Sequence, residues 1–405
     1  MHRPNAGPLS RALGPLALAA LLLAGGCAEE KKPPAPEPAL ALRAVTFDDL
    51  PGWNEDDPTA GLVAFQQSCE RWATQPPDKS IGGQGGFAGT VQDWASTCAE
   101  AARTAPTPDA ARRFFASSLT PFAVTDRGNP DGLFTGYYEP LLHGARVPDG
   151  SHRYPLYRRP PDLVSVDLGQ FDRELQGRRI GGRVEKGRLV PYPDRAAIDR
   201  GALAGRELEL LWVDDPVDRF FLEIQGSGQV RLPDSSLVRV GYADQNGRPY
   251  RAIGKDLIEQ GAVPGEKMSM QAIRDWLKAH PDQAPAMMAR NPSYVFFSEL
   301  PNLAQASGPL GAQGVPLTPG RSLAVDRKFL PLGVPLWLDA TAPYPDGDQP
   351  LRRLVVAQDT GGALRGPVRG DVFWGAGPMA EHLAGYMKSP GRLFVLLPRS
   401  LSPTS

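Results

Sequence analysis

The sequence predicts a mainly β protein with helices gathered in its N-terminal third. Three observations carry that expectation. Glycine (44) and proline (43) are both abundant in 405 residues, which suits many short strands and turns better than long helices. From residue 134 onward, short β-branched and aromatic runs are broken repeatedly by Gly, Pro and Asp. Before residue 122, apolar residues recur instead at three- and four-residue spacing.

The length allows two domains and a substantial core. Hydrophobic residues make up 41% and charged residues 22%, ordinary for a globular chain, and a net charge of -1 gives no electrostatic reason to expect a nucleic-acid partner.

Taken in order, the first 26 residues read as a signal peptide: Arg3 and Arg11, then the apolar run LGPLALAALLLAGG, too short to span a bilayer permanently. Ala24, Gly25 and Gly26 before Cys27 resemble a bacterial lipobox, with an ordinary signal cut elsewhere as the alternative. A lipidated Cys27 would hold the protein on a membrane, and Ala28 in place of Asp points to the outer membrane, facing the periplasm. Residues 27–44, rich in Pro and charge, read as a lipidated, extended tether. Cys69 and Cys98 lie on two helical stretches of the segment 45–133. In an oxidising periplasm a disulfide stapling those helices is favoured over two separate buried thiols.

The middle of the chain reads as strands, including LELLWV, FFLEI and LVRVGYA, with PDSS and DQNG as turns. One helical interval interrupts it, capped by Ser269 and ended by Pro281. Strands then return after Tyr294, with a short helix through Met379, Leu383 and Met387.

The scarce histidines show no metal-binding spacing, and neither a G-x-S-x-G elbow nor a phosphate loop occurs, so no metal or cofactor is expected. Carboxylates remain as candidates. Asp326, Asp359 and Asp371 each sit at an end of an apolar strand-like run, and Asp371 leads into VFWG. Desolvation there would raise its pKa, and a like charge from Asp359 would raise it further, suiting a general acid. Asp359-Thr360-Gly361 copies an aspartic-protease signature, but such an enzyme needs a second copy and the chain has none.

Five segments in series, FTGYYEP, FFLEIQGSG, NPSYVFF, VPLTPGRSLAVDRKFLPLGVPLWL and AQDTGGALRGPVRGDVFWG, resemble those of the membrane-bound lytic murein transglycosylase A family. The resemblance covers most of the chain from Phe134 to Pro398 and ends in the domain named for three aspartates. It implies a double-psi β-barrel built from residues 45–133 and 291–400, with a second, smaller β-barrel domain inserted at 134–290 and glycan in the groove between them. It also implies a lytic transglycosylase cutting the MurNAc–GlcNAc β-1,4 bond of peptidoglycan to 1,6-anhydro ends. Asp371 would act as acid and then base, with Asp359 and Asp326 supporting it. Thr135, Gly136, Tyr138, Gln225, Ser227 and Gly228 would line the groove. Peptidoglycan glycan strands are the expected partner, with wall-synthesis proteins as further candidates. The competing reading is a non-catalytic peptidoglycan-binding lipoprotein.

Overall fold

The computed structural model describes residues 37–175, 178–300 and 308–401. The expected signal peptide and Cys27 lie outside these residues. So does most of the expected tether, but its last part is a strand: β1 (Leu40–Ala44) pairs antiparallel with β2 (Leu119–Asp126), Leu40 opposite Asp126. Leu40 and Leu42, alternate residues on one face, pack on the main core, so residues 40–44 belong to the folded barrel domain rather than to an extended tether.

Between β1 and β2 run α1 (Thr59–Ala73), α2 (Val91–Arg103) and α3 (Pro108–Ser118). Thr90 and Asp93 form a capping box at the start of α2, and Pro108 opens α3 where no amide hydrogen is needed. The apolar spacing seen in the sequence becomes an aromatic cluster in which Phe65 touches Trp72, Trp94, Phe114 and Phe115. Cys69 and Cys98 form a disulfide joining α1 to α2, with Cα atoms 5.4 Å apart.

β3 (Gly132–Glu139) leads into the insert, which carries β4 (Leu141–Ala145), β5 (Tyr154–Tyr157), β6 (Val164–Asp167), β7 (Arg179–Glu185) and β8 (Arg188–Pro191). It continues through α4 (Arg195–Ala197), β9 (Glu209–Val213), α5 (Pro216–Gln225), β10 (Ser227–Arg231) and β11 (Leu237–Gln245). Its last elements are α6 (Ile253–Glu259), α7 (Met270–Ala279), α8 (Ala284–Ala289) and β12 (Val295–Glu299). The chain then returns with β13 (Ser322–Val325), β14 (Pro335–Tyr344), β15 (Gly347–Asp359), β16 (Arg369–Ala376), α9 (Pro378–Tyr386) and β17 (Lys388–Pro398).

Strands β17, β14, β15, β13, β16 and β3 pair in that order, and β3 pairs back onto β17, so they close a six-stranded barrel. Two of its pairings, β13 with β15 and β16 with β3, are parallel. β3 is therefore a barrel strand, although FTGYYEP reads by texture as the start of the insert. The strand carries no signal of its partners, which lie more than 200 residues away in β16 and β17. In the insert, β12, β11, β10, β4, β9 and β5 form a second sheet, and a single bridge between Arg158 and Phe297 brings its two edges together.

One stretch read as strand is a helix. α5 covers FFLEI, capped by the Asp215 carboxylate, which accepts from the Val217 and Asp218 amides, and stopped by Gly226 at φ 82°. Asp-Pro before the run and Gly after it outweigh the strand preference of paired phenylalanines. On α5, Glu223 forms a buried pair with Arg195, whose guanidinium also donates to the Asn291 and Ser293 carbonyls. Ser269 caps α7 as the sequence suggests, accepting from the Ala272 amide at 3.1 Å.

Barrel and insert belong to one compact unit. Their junction is Glu139, at the end of β3. Its carboxylate is 3% exposed as a residue and receives Arg239 at 2.8 Å and Gln229 at 2.9 Å, both from the insert.

Candidate active site

Strand register builds the site. β13 lies between β15 and β16, and Ala324 stands opposite Asp359 on one side and Asp371 on the other. Asp371 in turn stands opposite Thr135 on β3. Residues opposite one another on neighbouring strands share a face, so Asp359, Ala324, Asp371 and Thr135 form one row across four strands. With neighbouring strands about 4.8 Å apart, the backbones of the two aspartates are about 10 Å apart. Period-two alternation adds Tyr137 and Phe373, two residues beyond Thr135 and Asp371, with their rings 5.3 Å apart.

Asp371 is 24% exposed at its side chain and touches one cation: Arg369 Nη1 donates to its Oδ1 at 2.8 Å. Among the described residues, Oδ2 receives no hydrogen bond. Burial pushes the Asp371 carboxyl above its ordinary value, and the Arg369 charge and hydrogen bond only partly offset that. Asp359 is differently employed. Its Oδ1 accepts from the Ala312 amide at 2.9 Å and its Oδ2 from the Tyr137 hydroxyl at 2.8 Å. Burial raises its pKa, hydrogen bonds from Tyr137, Ala312 and Thr360 oppose that, and the Asp371 charge adds to the rise. Burial and the Asp359 charge hold the Tyr137 phenol well above its usual range.

From the insert, Tyr250 lies in the loop between β11 and α6 and is partly exposed. Burial, followed by the Asp371 charge, raises its pKa, which puts this tyrosine within electrostatic reach of the carboxyl.

The remaining expected site residues divide. Asp326 stands outside the row, just past β13. Its carboxylate accepts from the Lys328 amide at 3.1 Å and the Gly366 amide at 2.9 Å, fastening the loop that joins β15 to β16. Tyr138 does not line the face that carries Asp371. Alternation turns it the other way, where it is 3% exposed and donates from Oη to Glu381 at 3.1 Å. Gln225 meets it there, accepting from the Tyr138 amide at 2.9 Å. Gly136 and Gly228 serve packing: a Cβ would stand 2.5 Å from Trp374 Nε1 at the first and 2.4 Å from Leu222 Cδ1 at the second. Ser227 is buried at the start of β10.

Arg369, Tyr137 and Tyr250 are the site residues that sequence reasoning missed. Arg369 and Tyr137 are two residues from Asp371 and Thr135 on strands, so alternation alone places them on the same face. Tyr250 carries no such signal, because only folding brings its loop to β16.

A closed β-barrel, an inserted β domain and a row across four barrel strands that carries two carboxyls define a two-domain β protein with a carboxylate-centred candidate site. Family models match twice: an MltA specific insert domain over residues 133–298 and a 3D domain over 321–397. The membrane-bound lytic murein transglycosylase A of Escherichia coli strain K12 is 38% identical over 272 residues, 65% of this chain and 65% of the relative, slightly under two thirds of its length. Among solved structures, the membrane-bound lytic murein transglycosylase from Agrobacterium tumefaciens is 36% identical with a TM-score of 0.78, covering 89% of this chain and 98% of that one. The E. coli protein solved with bound chitohexaose is 28% identical with a TM-score of 0.59, over 90% of this chain and 93% of that one. The chain belongs to the membrane-bound lytic murein transglycosylase A family.

Proposed function

We propose that the protein is a peptidoglycan lytic transglycosylase, cleaving the MurNAc–GlcNAc β-1,4 bond and leaving 1,6-anhydroMurNAc ends. The observation that carries this reading is Asp371: a carboxyl with a raised pKa, held at one oxygen and, among the described residues, without a donor at the other. Its family membership and the chitohexaose bound to the E. coli relative support a glycan substrate.

Asp371 protonates the bridging oxygen as the C1–O bond breaks through an oxocarbenium-like transition state. The carboxylate then takes the proton of the muramyl C6 hydroxyl, whose oxygen attacks C1 within the same sugar. Holding both reacting atoms in one ring supplies the proximity advantage without water. Hydrolysis would call for a second working carboxylate. Asp359, in the same row, already accepts bonds at both oxygens, which supports a one-carboxyl mechanism. Asp359 and Tyr137 would set the charge around Asp371, and Asp326 would hold the loop behind it. Glycan would lie between barrel and insert, touching Thr135 and Tyr250.

Among the described residues no helix is long and apolar enough to cross a membrane. Attachment would come through lipid at Cys27, on the outer membrane facing the periplasm.

Mass spectrometry of purified sacculi after digestion tests the reading: anhydro ends, one water lighter than reducing ends, are expected. Reducing muramic acid ends would overturn the transglycosylase assignment. Asp371→Asn should abolish release while the variant still sediments with sacculi; a wild type that binds without cutting would favour the binding lipoprotein instead.

A further inference from the structure

A permanent cation against the proposed general acid needs a reason. Arg369 lies on β16, two residues before Asp371, and its side chain is 17% exposed. Nη1 donates to Asp371 Oδ1 at 2.8 Å, to the Gly370 carbonyl at 2.6 Å and to the Leu133 carbonyl at 3.2 Å. Nη2 donates to Thr135 Oγ1 at 2.9 Å. The guanidinium therefore ties β16 to β3 at the register position where Asp371 faces Thr135. A planar fork with several fixed donors fixes direction as well as charge, which an ammonium does not.

We propose that Arg369 is a positioning residue that grips Asp371 through Oδ1 and thereby makes Oδ2 the oxygen that gives and takes back the proton. This rests on the transglycosylase reading. In the first half, the proton leaves Oδ2 for the bridging oxygen, the C1–O electron pair goes to that oxygen, and the negative charge left on Asp371 meets a guanidinium already in contact. In the second half, Oδ2 accepts the C6 hydroxyl proton while that oxygen's electron pair forms the bond to C1. Asp371 ends protonated, as it began. The same cation works against the acid form, and burial of the carboxyl offsets it.

The groups around Asp371 are Arg369 on its own strand, Thr135 and Tyr137 on β3, Asp359 on β15 and Tyr250 of the insert; β13 presents Ala324, which does not titrate. Arg369 is the cation among them.

The test uses the full mature chain with two substitutions, Arg369→Met and Arg369→Lys, and two readouts. One is the pH dependence of kcat on purified sacculi; the other is the titration midpoint of the Asp371 carboxyl carbon by NMR. Arg369→Met should raise the midpoint by about one pH unit or more. It should lower kcat about tenfold or more, with sedimentation onto sacculi unchanged. Arg369→Lys should return the midpoint toward wild type while kcat stays low, because a point charge cannot reproduce the fork. An unmoved midpoint in the Met variant, or a Lys variant with full kcat, overturns the proposal. Should the Met variant fail to fold, the Lys variant decides alone: low kcat at a wild-type midpoint supports the grip, and full kcat refutes it. If the wild type releases no anhydro ends, the transglycosylase reading fails by itself, and the midpoint in the Met variant still shows whether Arg369 holds Asp371.

Discussion

At the scale of single residues, the proposed chemistry turns on two carboxyls whose surroundings differ more than their sequence contexts suggest. Asp359 is spent on Tyr137 and Ala312, whereas among the described residues Asp371 receives no hydrogen bond at Oδ2. Both have folded-state pKa values above the ordinary 3.8. A raised carboxyl pKa means that folding favours the protonated form. The stabilisation is complete below the unfolded value and is lost as pH rises through the folded one. Two outcomes follow from that sign. Activity should fall on the alkaline side as Asp371 loses its proton, with the limb above the ordinary carboxyl value, measured as kcat against pH. Urea unfolding of Asp371→Asn and wild type should show a gap that shifts in the variant's favour between about pH 4 and about pH 7; a gap constant with pH would contradict the raised pKa. Tyr137→Phe removes a hydrogen bond that holds the Asp359 pKa down, so its carboxyl signal should titrate at higher pH by NMR.

At the scale of elements, α1 and α2 depend on their disulfide and the barrel on close approaches. The bridge closes a loop with a sequence separation of 29. Loop-closure entropy for that length gives about 3 to 4 kcal/mol, so replacing both cysteines by alanine should lower the unfolding free energy by roughly that amount in urea. Gly136→Ala would set a methyl 2.5 Å from Trp374 Nε1 and 3.0 Å from the Ala384 backbone. Overpacking of this kind costs about 1–3 kcal/mol, again readable by urea unfolding. Elements were unevenly legible. The N-terminal helical segment declared itself by periodicity, while α5 hid behind two phenylalanines although Asp215-Pro216 and Gly226 marked both of its ends. β1 was unreadable as a strand because its partner, β2, lies across three helices.

At the scale of the whole molecule, barrel and insert meet through the buried carboxylate of Glu139, gripped by Arg239 and Gln229. Removing one member of a buried ion pair strands the other charge and costs about 3–5 kcal/mol. Glu139→Ala should therefore lower stability by about that much and loosen the approach of Tyr250 to Asp371, raising KM on sacculi more than it lowers kcat. A variant with wild-type stability would show that the junction is held elsewhere.

Local chemistry by itself determined the mainly β texture, the helical N-terminal third, the helix cap at Ser269, and the choice of aspartates as the candidate reactive groups. Those features depend on neighbours a few residues away, where propensity, spacing and turn chemistry act. Only the tertiary structure decided that Gly132–Glu139 joins the barrel, that Tyr137 rather than Tyr138 faces the carboxyls, and that Asp326 stands outside their row. It also decided that Arg369 closes over Asp371 and Thr135. The physical reason is strand register. A strand's alternation says which residues share a face, but pairing between strands hundreds of residues apart decides what that face meets.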